Sequence, residues 1–144
     1  MPAVLTITLN PAIDVFGEAD SVRPTHKVRL KDTTYEPGGG GINVARIIKA
    51  LGGEVEALAL SGGEMGAFLG RLLEAEGVTL RPVPIAGQTR VALMARDQST
   101  GLEYRFIPEG PVIAVADIDL CAAEIAHTSE GFIVASGSLP KGAP

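Results

Sequence analysis

The chain has 144 residues, 46% of them hydrophobic, and a net charge of −5 from 12 basic and 17 acidic side chains. That composition suits a soluble globular domain with a real core. The acidic balance argues against a general nucleic-acid or anionic-membrane surface, either of which needs a basic excess. No apolar run reaches the roughly 18 residues of a membrane-spanning helix, and Met1 to Asn10 does not read as a signal peptide. A single cysteine, Cys121, rules out an internal disulfide and fits a cytoplasmic location.

Residues 4–9 are apolar and β-branched up to Asn10-Pro11 and predict a buried first strand. Residues 13–16 and 28–34 predict shorter strands. The run Gly38-Gly39-Gly40-Gly41 is expected to lie outside strand and helix, because glycine costs backbone entropy in either. Ile42, Ala45, Ile48 and Leu51 then give a helical stripe that Gly52-Gly53 ends. A buried strand over 55–60 and a second helix carrying Met65, Phe68, Leu69, Leu72 and Leu73 follow, closed by Gly77. Residues 89–96 and 102–107 flank a Gly-containing turn and predict a hairpin. Residues 117–126 predict a helix with Asp117 as N-cap, and 132–135 a last buried strand. The order predicts an α/β domain with a mostly parallel, doubly wound sheet. The half-polar strands predict a small separate sheet.

The segment from Glu36 to Arg46 is the most distinctive. Glycines leading into a helix let a ligand lie against bare backbone. The first helical N–H groups and the helix dipole then favour an oxygen-rich, negatively charged partner. A glycine-rich turn that only packs closely would need fewer glycines. No P-loop is present. The glycines also come too late after the first strand for a dinucleotide fingerprint, which argues against a dinucleotide-dependent oxidoreductase.

The run Gly39-Gly40-Gly41-Ile42-Asn43-Val44-Ala45 is similar to the amino-terminal motif of the ribokinase-like carbohydrate kinases of the phosphofructokinase B family. Thr8-Leu9-Asn10-Pro11-Ala12-Ile13-Asp14, Thr89-Arg90, Tyr104-Arg105-Phe106 and Ser136-Gly137-Ser138-Leu139-Pro140 extend the likeness over essentially the whole chain. It implies a ribokinase-like α/β body for residues 1–144, with lid strands over about 13–34 and 89–107. It also implies ATP-dependent phosphoryl transfer, with Mg2+, to a sugar hydroxyl. The catalytic Gly-Ala-Gly-Asp motif and the ATP-binding region belong to the family's carboxyl-terminal half and are not found in this chain, which is therefore expected to be inactive alone. Glu36-Pro37 before the glycines, with no lysine inside the run, resembles the 6-phosphofructokinases, with 1-phosphofructokinases and tagatose-6-phosphate kinases as alternatives. A non-catalytic sugar-phosphate-binding module is the alternative of another class.

By resemblance, Asp14 is a substrate ligand whose carboxylate accepts sugar hydroxyls. Read alone, it is a turn-capping aspartate. Gly39, Gly40 and Asn43 form the sugar-binding turn. Arg90 and Arg105 are expected to clamp a phosphate, since arginine forks match its oxygens. The bland reading is a pair of exposed strand arginines. Ser138 is a substrate contact beyond the last strand, or a capping serine. Lys27 is expected to offset charge on the transferring phosphoryl group, although a lysine in a polar stretch is usually solvated. The resemblance further implies a homodimer through the lid strands. His26 and His127 lack partners at metal-ligand spacing, and Cys121 is expected in the core.

Overall fold

A computed structural model describes residues 3–129 and 131–144. In chain order the elements are β1 (Val4–Thr8), β2 (Ala12–Ala19), β3 (Lys31–Gly38), α1 (Gly40–Ala50), β4 (Val55–Ser61), α2 (Gly63–Ala75), β5 (Thr79–Pro84), β6 (Arg90–Asp97), β7 (Glu103–Phe106), α3 (Val115–Ala126) and β8 (Phe132–Ala135). They build two four-stranded sheets, ordered β5-β4-β1-β8 and β3-β2-β6-β7.

The first sheet is parallel throughout. Side chains alternate across β4: Ala57 and Ala59 join Ile42, Ala45, Leu69 and Leu73 of α1 and α2 in one core cluster, while Leu58 and Leu60 join Ile113 and Cys121 in the other. Helices thus cover both faces, as a parallel sheet requires. Cys121 is a core residue, and burial pushes its thiol above the usual range.

The second sheet is mixed. β2 pairs antiparallel with β3 and parallel with β6, and β6 pairs antiparallel with β7. Ile13 and Val15 of β2 enter the α1/α2 cluster, with Leu93 of β6 packed against it. Strand alternation turns Asp14 and its cross-strand neighbour Glu36 to the other face.

Several expectations change. The strand expected over 28–34 forms at Lys31–Gly38, so it runs into the glycine segment. Gly38 pairs with Ala12 on β2, and Gly40 and Gly41 already belong to α1. Only Gly39, at φ 124, is the break between them. Sheet pairing and helix docking outweigh the entropy argument here. Asp117 is not the N-cap of α3. The helix starts two residues earlier, and the Asp117 carboxylate reaches back to accept the Ala114 N–H at 2.8 Å. β5 was not expected, because Pro82 and Pro84 mask it. Both prolines are tolerated because β5 is an edge strand.

Candidate functional site

The site lies beyond the carboxyl ends of β1 and β8, where the chain passes between the two sheets. Its floor is the start of α1. A methyl group on Gly41 would come within 2.4 Å of the Ile7 carbonyl oxygen and 2.6 Å of the Thr8 hydroxyl. One on Gly40 would meet the Gly137 nitrogen at 2.5 Å and the Ser136 hydroxyl at 2.7 Å. The Gly41 N–H donates to the Ser136 carbonyl at 3.1 Å. These glycines therefore serve close approach: they seat the helix terminus on β1 and on the turn that leads to Ser138. The Asn43 N–H returns to the Gly39 carbonyl at 2.9 Å, closing the first helical turn.

Asp14 projects from β2 over the end of β3, and a methyl group on Gly38 would sit 2.2 Å from its Oδ2. The carboxylate thus faces uncovered backbone. Burial pushes the Asp14 carboxyl above its ordinary value. The Arg90 charge pulls it down, Glu36 pushes it up, and Arg105 and Arg46 pull it down. Asp14, Arg90 and Arg105 are therefore brought into one electrostatic neighbourhood. Arg46 is itself held in place: it donates to Glu76 at 2.6 Å, to the Pro37 carbonyl at 3.2 Å and to Glu36 at 3.3 Å.

Arg90, at the start of β6, reaches the turn after β8. Its Nη2 donates to the Asn10 carbonyl at 3.0 Å and to Ser138 Oγ at 3.3 Å, and its Nη1 to the Pro108 carbonyl at 2.9 Å. Beside it opens a cleft of about 430 Å³ lined by Asn10, Glu109, Ser138 and Lys141 among others. The Asn10 amide group donates to the Glu109 carbonyl at 2.8 Å. Thr8 Oγ1, Asn10 Oδ1 and Arg90 Nε are buried without a hydrogen-bond partner among the described residues. All three belong to this corner, and buried polar atoms are normally paired.

The expected residues do not all converge. Asp14, Gly39, Gly40, Arg90 and Ser138 surround the junction, and Arg105 contributes its charge from β7, exposed and opposite Met94. Asn43 lines a neighbouring hollow with Arg46, Ile47 and Glu76. Lys27 lies in the loop between β2 and β3, in a hollow it shares with Arg23, His26, Arg29 and Lys31. That hollow has no residue in common with the Arg90 cleft. His26 and His127 each face a backbone carbonyl. Among the described residues, no three His, Cys, Asp or Glu side chains gather as a metal set, and no helix is long and apolar enough to cross a membrane.

Asn10 and Lys141 line the Arg90 cleft although no motif in the sequence marks either as a ligand. Asn10 reads there as the stop of a strand, and its bond to Glu109 spans 99 residues. Lys141 lies beyond the last predicted element, and only the turn geometry places it beside Arg90.

The profile of the pfkB family carbohydrate kinases matches residues 5–144. The ATP-dependent 6-phosphofructokinase isozyme 2 of Mycobacterium tuberculosis is 46% identical over 98% of this chain and 42% of its own length. The isozyme 2 enzyme of Escherichia coli is 36% identical over 99% of this chain and 46% of its own. The crystal structure of Escherichia coli phosphofructokinase-2 in complex with fructose-6-phosphate superposes with a TM-score of 0.93 at 34% identity, covering 100% of this chain and 48% of that one. The chain spans less than half the length of these relatives. A bare glycine junction, a raised aspartate and an arginine-framed cleft on this fold agree with those likenesses: the chain belongs to the pfkB family of carbohydrate kinases.

Proposed function

We infer that this chain supplies the sugar-phosphate-binding part of an ATP-dependent phosphosugar kinase, with fructose 6-phosphate as substrate and fructose 1,6-bisphosphate as product. The observation that carries this reading is the Asp14 carboxylate lying against the uncovered backbone of Gly38, with the charges of Arg90 and Arg105 acting on it. A carboxylate whose burial disfavours its charge is stabilised by hydroxyl donors, so it selects a polyol. Two arginines within its field select an anion on the same molecule. The names of the Mycobacterium tuberculosis and Escherichia coli relatives support the 6-phosphate over the 1-phosphate.

In this reading Asp14 accepts hydroxyls of the sugar. Gly39 and Gly40 allow it to approach the backbone, Asn43 donates from the first turn of α1, and Ser138 and the arginines hold the phosphate end. Lys27 offsets charge on the transferring group; its ammonium is exposed and has no hydrogen bond or ion pair among the described residues. ATP and Mg2+ are required by that reaction, and among the described residues no three His, Cys, Asp or Glu side chains gather to hold the metal. The second sheet serves as the lid over the sugar and as the contact of a homodimer in the cytoplasm. Light scattering that finds a monomer at working concentration removes the dimer. The 144-residue chain alone is expected to show no ATP-dependent phosphorylation of fructose 6-phosphate in a coupled assay.

Isothermal titration tests the central claim. The chain is expected to bind fructose 6-phosphate more tightly than fructose 1-phosphate or fructose. Equal binding of all three, or preference for fructose, overturns it.

A further inference from the structure

The hydrogen bonds of Arg90 raise a question of supply. Its Nη2 hydrogens go to Asn10 and Ser138, an Nη1 hydrogen goes to Pro108, and Nε is buried. A two-pronged grip on phosphate needs a pair of parallel N–H groups on one edge of the guanidinium. Arg90 already gives one donor to the Pro108 carbonyl, one to the Asn10 carbonyl and one to the Ser138 hydroxyl, and Nε is among the donors it has not committed. Most of its donors are thus engaged in holding the fold.

Another cation lines the same cleft. Lys141 follows Pro140, which is buried, and precedes Gly142, whose φ of 97 favours glycine. The Lys141 carbonyl accepts the Ile113 N–H at 2.9 Å, and a methyl group on Gly142 would sit 2.3 Å from the Ile113 oxygen. The backbone at Lys141 is therefore pinned to the segment before α3. Its side chain is exposed and has no hydrogen bond or ion pair among the described residues. Glu109, also exposed, lines the cleft with an opposing charge. Without Lys141 that carboxylate would cancel much of the field of Arg90.

We propose that Lys141 is a specificity-determining residue of this cleft, supplying the uncommitted cation that, with the Ser138 hydroxyl, receives the phosphomonoester of the substrate. This rests on the sugar-phosphate reading given above. A flexible ammonium binds as a point charge, so the site tolerates some variation in where the phosphate sits. Lys141 then adds to the arginines at the phosphate end, while Arg90 also holds Ser138 and the Asn10 turn in place.

The test compares the chain with its Lys141→Glu and Lys141→Arg variants by titration with fructose 6-phosphate and with fructose. The lysine side chain is exposed, so both variants are expected to fold as the parent does. Lys141→Glu is expected to weaken fructose 6-phosphate binding by about tenfold or more, equivalent to ~1.4 kcal/mol, with fructose binding unchanged. Lys141→Arg is expected to retain it. If the parent prefers fructose 6-phosphate and Lys141→Glu matches it, the role of Lys141 is overturned while the sugar-phosphate reading stands. If the parent shows no preference for the phosphorylated sugar, that reading fails and this inference fails with it.

Discussion

The two sheets of this molecule meet solvent in different ways. The parallel sheet is wedged between helices, and Leu5, Ala57, Leu58, Ala59 and Leu60 are fully buried in it. The mixed sheet covers only one face, with Ile13 and Val15, and leaves Asp14, Glu36 and Arg105 among its charged groups on the face that the core does not claim. The lesson is a division of labour. Burial in the parallel sheet holds the fold together, and the mixed sheet is free to carry charges that would be costly in a core. The candidate site lies where the chain passes from one sheet to the other.

Truncating the parallel sheet should break that contrast most visibly. Leu58→Ala removes a fully buried side chain and is expected to cost ~2–5 kcal/mol, read as a lower midpoint in chemical denaturation. Arg105→Ala on the exposed face of β7 is expected to stay within about 0.5 kcal/mol of the parent while weakening fructose 6-phosphate binding in titration. Comparable losses of stability from both changes would erase the proposed division.

Two carboxylates in the mixed sheet sharpen the comparison through pH. The folded-state value of Asp14 lies above its ordinary 3.8, chiefly because of burial. The native chain therefore keeps a proton that the unfolded chain has released. This contribution is most favourable below the ordinary value and declines as pH rises through the raised one. Asp97 behaves oppositely. Its carboxylate accepts the Ser99 hydroxyl at 2.6 Å and the Val22 N–H at 2.9 Å, and these bonds hold it below 3.8. Its contribution is complete above the ordinary value and is lost as pH falls through the lowered one. Thermal melts across this acid range should show Asp14→Asn removing the decline on the alkaline side and Asp97→Asn removing the loss on the acid side. Indistinguishable profiles for parent and variants would contradict both assignments.

The smallest effect is expected at the brace beside the site. Glu76→Gln breaks the 2.6 Å ion pair with Arg46, which is partly exposed, so the cost in chemical denaturation should not exceed ~1 kcal/mol.

Much of this architecture is legible in the sequence, because periodicity reports burial directly. The stripe through Ile42, Ala45 and Ile48 and the apolar run over residues 55–60 become the expected elements, whereas Leu51 falls just past α1 and is exposed, and the strand at 132–135, expected to be buried, forms with Phe132 and Ile133 exposed. What stays hidden depends on partners distant in the chain. Gly38 counts as a strand residue only because Ala12 lies opposite. The prolines of β5 fit only because nothing pairs on their outer side. The family motif marks Asp14, Arg90 and Ser138 as candidates, and the structure brings them to one junction. It cannot reveal that Arg90 spends its donors on carbonyls 18 and 80 residues away. Lys27, which only the family resemblance singles out, lies in a hollow of the β2–β3 loop with Arg23, His26, Arg29 and Lys31.

The prolines of β5 also bear on how the molecule behaves in concentrated solution. A sheet edge with unpaired N–H and C=O groups is a template for further strands. Pro82 and Pro84 remove N–H donors from one border of the parallel sheet, whereas the β8 border presents Phe132 and Ile133, 60% and 47% exposed. Strand addition is therefore blunted at the β5 border. Residues with an N–H in place of Pro82 and Pro84 would restore donors along β5 and should make the chain less soluble at high concentration.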